Sequence, residues 1–176
     1  MSKIVIYEYD EQWAEIFRSL KQVIEFTLTN LIIKVEHVGS TAVKGLGAKP
    51  ILDIDLVIKS DDDLPAVSKG LQKIGYFHQE EWSYEGREAF GRKDQFTPWD
   101  GNHTNWMDHH VYVCTQDSKE LARHLAFRDY LRSDPDAVAK YDRVKRNLAN
   151  MAKNRADYTM GKTNFITMIL ERTFDK

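Results

Sequence analysis

The chain has one cysteine, Cys114, so no disulfide can form within it. Its fold therefore rests on noncovalent packing, and such cysteine usage fits a reducing, cytoplasmic compartment. Long apolar runs are missing as well; none approaches the roughly 20 residues that a membrane-spanning helix needs. The opening stretch, MSKIVIYEYDEQW, carries an acid by position 8 and lacks an apolar run of signal-peptide length. The expectation is a cytoplasmic chain with no membrane partner. An excess of either charge is also absent, since 25 basic against 27 acidic residues leave a net charge of −2. That balance argues against coating nucleic acid or anionic membrane by bulk electrostatics, although a local basic patch is compatible with it. Internal repeats, low-complexity tracts and obvious linkers are not found.

What is present is 176 residues, 42% of them hydrophobic, which suits one domain with a sizeable core. Asp10 is a good N-cap, and Trp13, Ile16, Phe17, Leu20, Ile24 and Leu28 recur at helical spacing, predicting a helix over about 11–29. Ile32 to Val38 reads as a strand that Gly39-Ser40 ends. After a loop through Gly45, Gly47 and Pro50, Ile51 to Ile58 reads as a buried strand interrupted only by Asp53 and Asp55. Ser60 to Asp63 caps a helix ending at Gly75. Tyr76 to His78 starts a short strand, the aromatic stretch 80–105 is expected to hold strands joined by loops, and His109 to Cys114 is another strand. Asp117-Ser118-Lys119-Glu120 resembles a capping box, and Asp134-Pro135 starts a long helix to about Asn154. Asp157 caps a final helix. The organisation expected is a single domain over 1–176, an α/β core over about 1–116 followed by helices over about 117–176.

Asp53 and Asp55 are the most informative pair. Positions i and i+2 of a strand share a face, so their carboxylates sit side by side with Ile54 opposite. Two such charges repel unless a cation holds them, and Mg²⁺ is bound by one or two carboxylates plus substrate phosphates. The plain alternative is a strand end reaching solvent, but Leu52, Ile54, Leu56 and Val57 mark this strand as central. Shortly upstream lies Val38-Gly39-Ser40-Thr41. Gly39 has no Cβ to bar a phosphate from the backbone, the Ser40 hydroxyl and the following amides are donors, and a helix opening at Ser40 adds its dipole. Alone this is an ordinary strand-to-helix turn; beside the two-acid strand it reads as a nucleotide site, with Gly39, Ser40 and Thr41 on phosphate.

Strand, Gly-Ser, helix and Asp-x-Asp strand form the core pattern of the nucleotidyltransferase superfamily. More closely, Glu36 to Val43 and Gly45 to Asp55 resemble the GrpB family, as do Phe127-Arg128-Asp129-Tyr130-Leu131, Tyr158-Thr159, Lys162-Thr163 and Phe165-Ile166. The resemblance covers nearly the whole chain. It implies a nucleotidyltransferase-like small mixed sheet flanked by helices, an α/β fold with a helical C-terminal part. It also implies an NTP as partner, Mg²⁺ or Mn²⁺ on Asp53 and Asp55, an unnamed acceptor, and a functional link to a dephospho-CoA kinase, since family members occur joined to one. Lys162 is carried over as a phosphate contact.

Many nucleotidyltransferases carry a third acid on a neighbouring strand. Here the matching strand offers His110 and Tyr112 on one face, and Tyr112 stands where the family commonly has histidine. His110 is a candidate for phosphate binding, general base work or a softer metal; the alternative is that His109 or His110 packs on the far side of the sheet. Asp108 and Glu36 reach the site only if the backbone bends. Gly161-Lys162-Thr163 is not a P-loop, because the glycine required five places earlier is Ala156. Lys49, between the turn and the two-acid strand, is a phosphate candidate, and Lys44 a weaker one. Arg87, Arg92 and Lys93 belong to a substrate-covering loop or to plain surface. Arg143, Lys145, Arg146, Lys153 and Arg155 form an RNA-facing stripe or, the favoured reading, a solvated helix face. His37 packs beside the turn, and His103, His109 and His110 lack a standard zinc spacing.

Overall fold

The computed structural model describes residues 4–174; the outermost positions of the expected span, 1–3 and 175–176, lie outside it. Helix α1 runs Gln12–Thr27, and the Asp10 carboxylate accepts from the Gln12 N–H at 2.9 Å. Its buried stripe is Trp13, Leu20 and Ile24. Five strands follow: β1 Lys34–Val38, β2 Leu52–Ile58, β3 Tyr76–His78, β4 Glu88–Arg92 and β5 His109–Thr115, with α2 Leu64–Lys73 between β2 and β3. They form one sheet in the order β1-β2-β5-β4-β3. Only β2 and β5 pair in parallel; the other neighbours are antiparallel. Parallel neighbours need a long crossover, and α2, β3 and β4 supply it.

The alternation along β2 sorts the two faces. Leu52, Ile54, Leu56 and Ile58 join Val111, Val113 and Phe90 in the main core beneath α1 and α2. Asp53, Asp55 and Val57 point the other way, toward α3 (Lys119–Ser133), where Val57, Cys114 and Leu121 make a second apolar cluster. Helices α4 (Pro135–Met151) and α5 (Arg155–Phe174) complete the chain. The mixed sheet flanked by helices is the architecture expected. Caps sit where turn chemistry places them: Ser118 accepts from Leu121 N–H and Asp134 from Ala137 N–H.

Four expectations change. Ser40 opens only a single 3₁₀ turn, Ser40–Ala42, because Val43 is already extended. A turn of three residues puts no helix dipole behind the site, and Ala48 further along pairs with Tyr7. The long C-terminal helix stops at Met151, where Ala152 is extended. Asn154, not Asp157, caps the last helix, its Oδ1 accepting from the Asp157 N–H at 2.9 Å. The stretch 80–105 contributes one strand, β4, together with a 3₁₀ turn, Glu80–Trp82, and a single bridge between Tyr84 and Arg87; the rest is loop.

Helix α3 clamps the edge of the sheet that matters. His124, Arg128 and Arg132 recur every fourth residue, on one face of the helix. His124 reaches Asp55 on β2 (2.7 Å), Arg128 reaches Glu36 on β1 (2.6 Å) and the His37 carbonyl (3.0 Å), and Arg132 donates twice to the Ala42 carbonyl (2.9 and 2.8 Å). Glu36 and Arg128 are both buried. Burial disfavours the Glu36 carboxylate, and the hydrogen bonds from Lys34 and Arg128 more than reverse this, leaving its pKa below the ordinary range. Removing Arg128 leaves the buried Glu36 carboxylate with Lys34 as its one cationic partner among the described residues. Arg128→Met is therefore expected to cost about 3 kcal/mol in urea unfolding, and Glu36→Leu/Arg128→Met to recover most of it. A cost no greater than that of an exposed pair would refute the clamp.

Candidate functional site

The register of β2 decides what surrounds each acid. Asp53 is paired with Val38 on one side and His110 on the other; Asp55 is paired with Glu36 and Tyr112. The two carboxylates share a face, as the strand period demands, yet their surroundings differ. The Asp53 side chain is 34% exposed and its Oδ1 lies 3.0 Å from His110 Nδ1. Asp55 is fully buried, with Oδ2 on His124 Nδ1 at 2.7 Å and Oδ1 without a hydrogen-bond partner among the described residues. His124 sits where burial disfavours its charge, but its bond to Asp55 and the charges of Asp55 and Glu120 raise its pKa overall.

Gly39 ends β1 at φ 72°, ψ −172°, a region that essentially only glycine occupies. A Cβ there would stand 2.4 Å from Asp53 Oδ2. The expectation gave this glycine's missing side chain to a phosphate; the atom that fills the space is the Asp53 carboxylate. Next to it His37 is both packed and useful: its ring stacks on Phe17 and its Nε2 is hydrogen bonded to Thr41 Oγ1 at 2.9 Å. Burial and the Arg132 charge lower its pKa to about 4, so the ring is neutral at pH 7.

A cavity of about 180 Å³ opens in front of Asp53. The core contributes Ser40, Thr41, Lys49, Asp53 and His110; the C-terminal helices contribute Lys145, Arg155, Tyr158, Thr159 and Lys162. Ser40, Thr41, Lys49, Asp53, His110 and Lys162, picked from the sequence, are thus brought together, while Gly39 and Asp55 are not among the lining residues. Lys49 and Lys162 hold their ammonium groups 5.2 and 4.7 Å from the centre of the Tyr158 ring. Lys145 donates to the Gly47 carbonyl from a buried position. Burial lowers the pKa of Lys145 to about 7; burial and the charge of Lys49 lower that of Lys162 to about 8.

Sequence reasoning missed His124, named Tyr158 only within the family resemblance and not as a site residue, and misplaced Lys145 and Arg155. The basic run is no single stripe. Ala137, Tyr141 and Lys145 are in phase as the buried side of α4, and that spacing was the available signal. Arg146 faces elsewhere, held by Asp142 and Glu8, while Arg155 begins a different helix. The other candidates also leave the site. His109 turns to the opposite face and bonds Tyr76 at 2.7 Å, and His103 packs on Phe96 and Trp99. Asp108 pairs with Arg92, Glu36 with Arg128, and Lys44 with Glu11. Arg87 lies between the rings of Tyr84 and Tyr112.

Among the described residues, no group of three or more His, Cys, Asp or Glu side chains is arranged to hold a metal ion. The donors present still suit a hard cation: the Asp53 carboxylate on the cavity, and two residues along the same face of β2 a buried Asp55 oxygen with no hydrogen-bond partner among the described residues. Magnesium characteristically completes such a set with phosphate oxygens and water.

A mixed sheet with a two-acid strand beside a Gly-Ser turn, flanked by helices, is a nucleotidyltransferase-like fold. The chain superposes on Cid1 poly(U) polymerase bound to MgGTP with a TM-score of 0.52 at 12% identity, covering 82% of this chain and 44% of that one, a likeness of fold alone. The chain belongs to the GrpB family, whose profile, described as GrpB protein, matches residues 3–172. The crystal structure of conserved protein GrpB from Enterococcus faecalis is similar over 97% of this chain and 98% of that one, with a TM-score of 0.79 and 30% identity. UPF0157 protein BH1888 of Halalkalibacterium halodurans is 33% identical over 175 residues, 97% of this chain and 83% of that protein. UPF0157 protein YqkA of Bacillus subtilis is 31% identical over 165 residues, 93% of this chain, which spans only 45% of that longer relative. A dephospho-CoA kinase of Mycolicibacterium paratuberculosis is 31% identical over 145 residues, 71% of this chain and 33% of the kinase. Among the described residues no helix is long and apolar enough to cross a membrane.

Proposed function

We propose that the protein is a metal-dependent nucleotidyltransferase that moves a nucleotidyl group from an NTP to an acceptor. The observation that carries this is Asp53 facing Lys49, Lys145, Arg155 and Lys162 across one cavity, with Ser40 and Thr41 among its lining residues. The cations neutralise a phosphate chain, and the two hydroxyls fix its register. Asp53 and Asp55 would hold Mg²⁺ or Mn²⁺, which when bound supplies charge neutralisation and alignment of the phosphates. An ionised Asp53 accepts from Nδ1–H of His110. That tautomer leaves Nε2 as a free acceptor, suited to take a proton from the acceptor nucleophile.

A second reading, a nucleotide-binding module that regulates a partner without catalysis, is favoured by one observation. His110 and Tyr112 occupy the positions beside Asp53 and Asp55, and burial with the Asp53 charge raises the Tyr112 pKa to about 12, so neither supplies a third anion. The similarity to a dephospho-CoA kinase makes that enzyme the partner to try first. Nucleic acid is not favoured as a partner, because Arg146 is tied to carboxylates and Lys145 is buried. A cytoplasmic location belongs to the same reading.

Incubation with each labelled NTP, Mg²⁺ or Mn²⁺ and candidate acceptors separates the two. Transfer lost in the Asp53→Asn/Asp55→Asn double variant supports the enzyme; metal-dependent binding without turnover supports the module.

The lysines predict a sign for pH dependence. Before a ligand arrives Lys145 and Lys162 titrate at about 7 and about 8; beside phosphate both stay protonated. Binding therefore takes up protons above pH 7, and affinity falls as pH rises from there. Between pH 7 and pH 9 calorimetry should show a loss on the order of tenfold or more. Terminal-phosphate ionisation, near pH ~6, acts in the opposite sense. Affinity that rises or stays level over that range would refute lysine control.

A further inference from the structure

The four cations of the cavity lack the anions that lysines and arginines usually find. Among the described residues no carboxylate forms an ion pair with Lys49, Arg155 or Lys162, whereas nearby Arg146 has two. Lys145 has the Gly47 carbonyl and the face of the Tyr141 ring, and no carboxylate pairs with it among the described residues. Asp53 is the one acid among the lining residues. Cations gathered and partly desolvated without partners define a site for a polyanion.

The same cavity offers little to a base. Its volume, about 180 Å³, is below the roughly 300–1,000 Å³ of pockets that enclose drug-sized ligands. A phosphate chain has room there, and a nucleoside must project outward. Reading a base takes a free aromatic face or a side chain with paired donor and acceptor. Tyr158 is the one tyrosine, phenylalanine or tryptophan on the wall, and Lys49 and Lys162 both lie over its ring. The His110 ring is held through Nδ1 by Asp53. No asparagine or glutamine is among the lining residues.

We propose that this site selects its substrate by the polyphosphate chain and not by the base, so that all four NTPs and inorganic tripolyphosphate share one binding mode. The inference rests on the nucleotide-site reading above. Titration calorimetry of the full chain at pH 7 with Mg²⁺ and ATP, GTP, CTP, UTP or tripolyphosphate tests it. The expected result is NTP affinities within about threefold of one another and tripolyphosphate within about tenfold of them. Lys162→Met should weaken all five by the same factor, on the order of tenfold. A preference beyond about twentyfold for one NTP, or NTP binding with none of tripolyphosphate, overturns base-independent selection and leaves the nucleotide site standing. No binding of any of the five overturns both. An unequal effect of Lys162→Met across the five overturns the shared mode.

Discussion

Asp53→Asn is expected to lower metal-dependent nucleotidyl transfer by a factor on the order of a thousand or more, while the protein stays folded. The asparagine keeps the shape and removes the only negative charge among the residues lining the cavity. Its side chain is about one-third exposed and bonded only to His110, so the stability cost is small, about 1 kcal/mol or less. Asp55→Asn should fail differently. Asp55 is fully buried and carries the His124 bond, and its replacement is expected to cost about 2 kcal/mol in addition to activity. Thermal melts and a labelled-NTP transfer assay on both variants separate the two roles. Equal NTP binding by the wild type and the double variant would show that the site has been wrongly placed.

Gly39→Ala is the second large effect. The backbone at φ 72°, ψ −172° costs a non-glycine residue about 1–3 kcal/mol. The added Cβ, 2.4 Å from Asp53 Oδ2, must also push that carboxylate aside. The variant is expected to lose about 3 kcal/mol in denaturant unfolding and to bind metal-nucleotide as weakly as Asp53→Asn does. Gly45→Ala is the control. Gly45 also has positive φ, at +82°, but a Cβ there meets nothing within 4 Å. It should cost about 1 kcal/mol of backbone strain and leave nucleotide affinity unchanged. If the two glycine variants bind nucleotide alike, Gly39 does not position Asp53.

Much of the core was legible in the chain, because its signals are local. Strand alternation around Asp53 and Asp55, the cap Asp134, and the helical stripe of α1 depend on neighbours in sequence. They appear in the structure with ends shifted by a few residues. Where local signals competed, the reading slipped. Asp157 looked like a cap, but Asn154 holds the N–H in question. A loop or a helical turn was the reading after Gly39-Ser40, and the chain makes one 3₁₀ turn there before Val43 becomes extended.

The sequence by itself was enough for the family resemblance, the mixed α/β architecture, and the identity of Ser40, Thr41, Lys49, Asp53, His110 and Lys162 as residues to watch. Each of these follows from spacing along one element or from a motif. Which acid is open and which is locked was decided only by the tertiary structure, since the β2–β5 register and the i, i+4 ladder of α3 put His110 on Asp53 and His124 on Asp55. The same holds for Lys145 and Arg155, which reach the cavity across more than ninety residues of chain. Long-range packing places charges that no local pattern can, because a helix's period tells which face is buried but not what that face will meet.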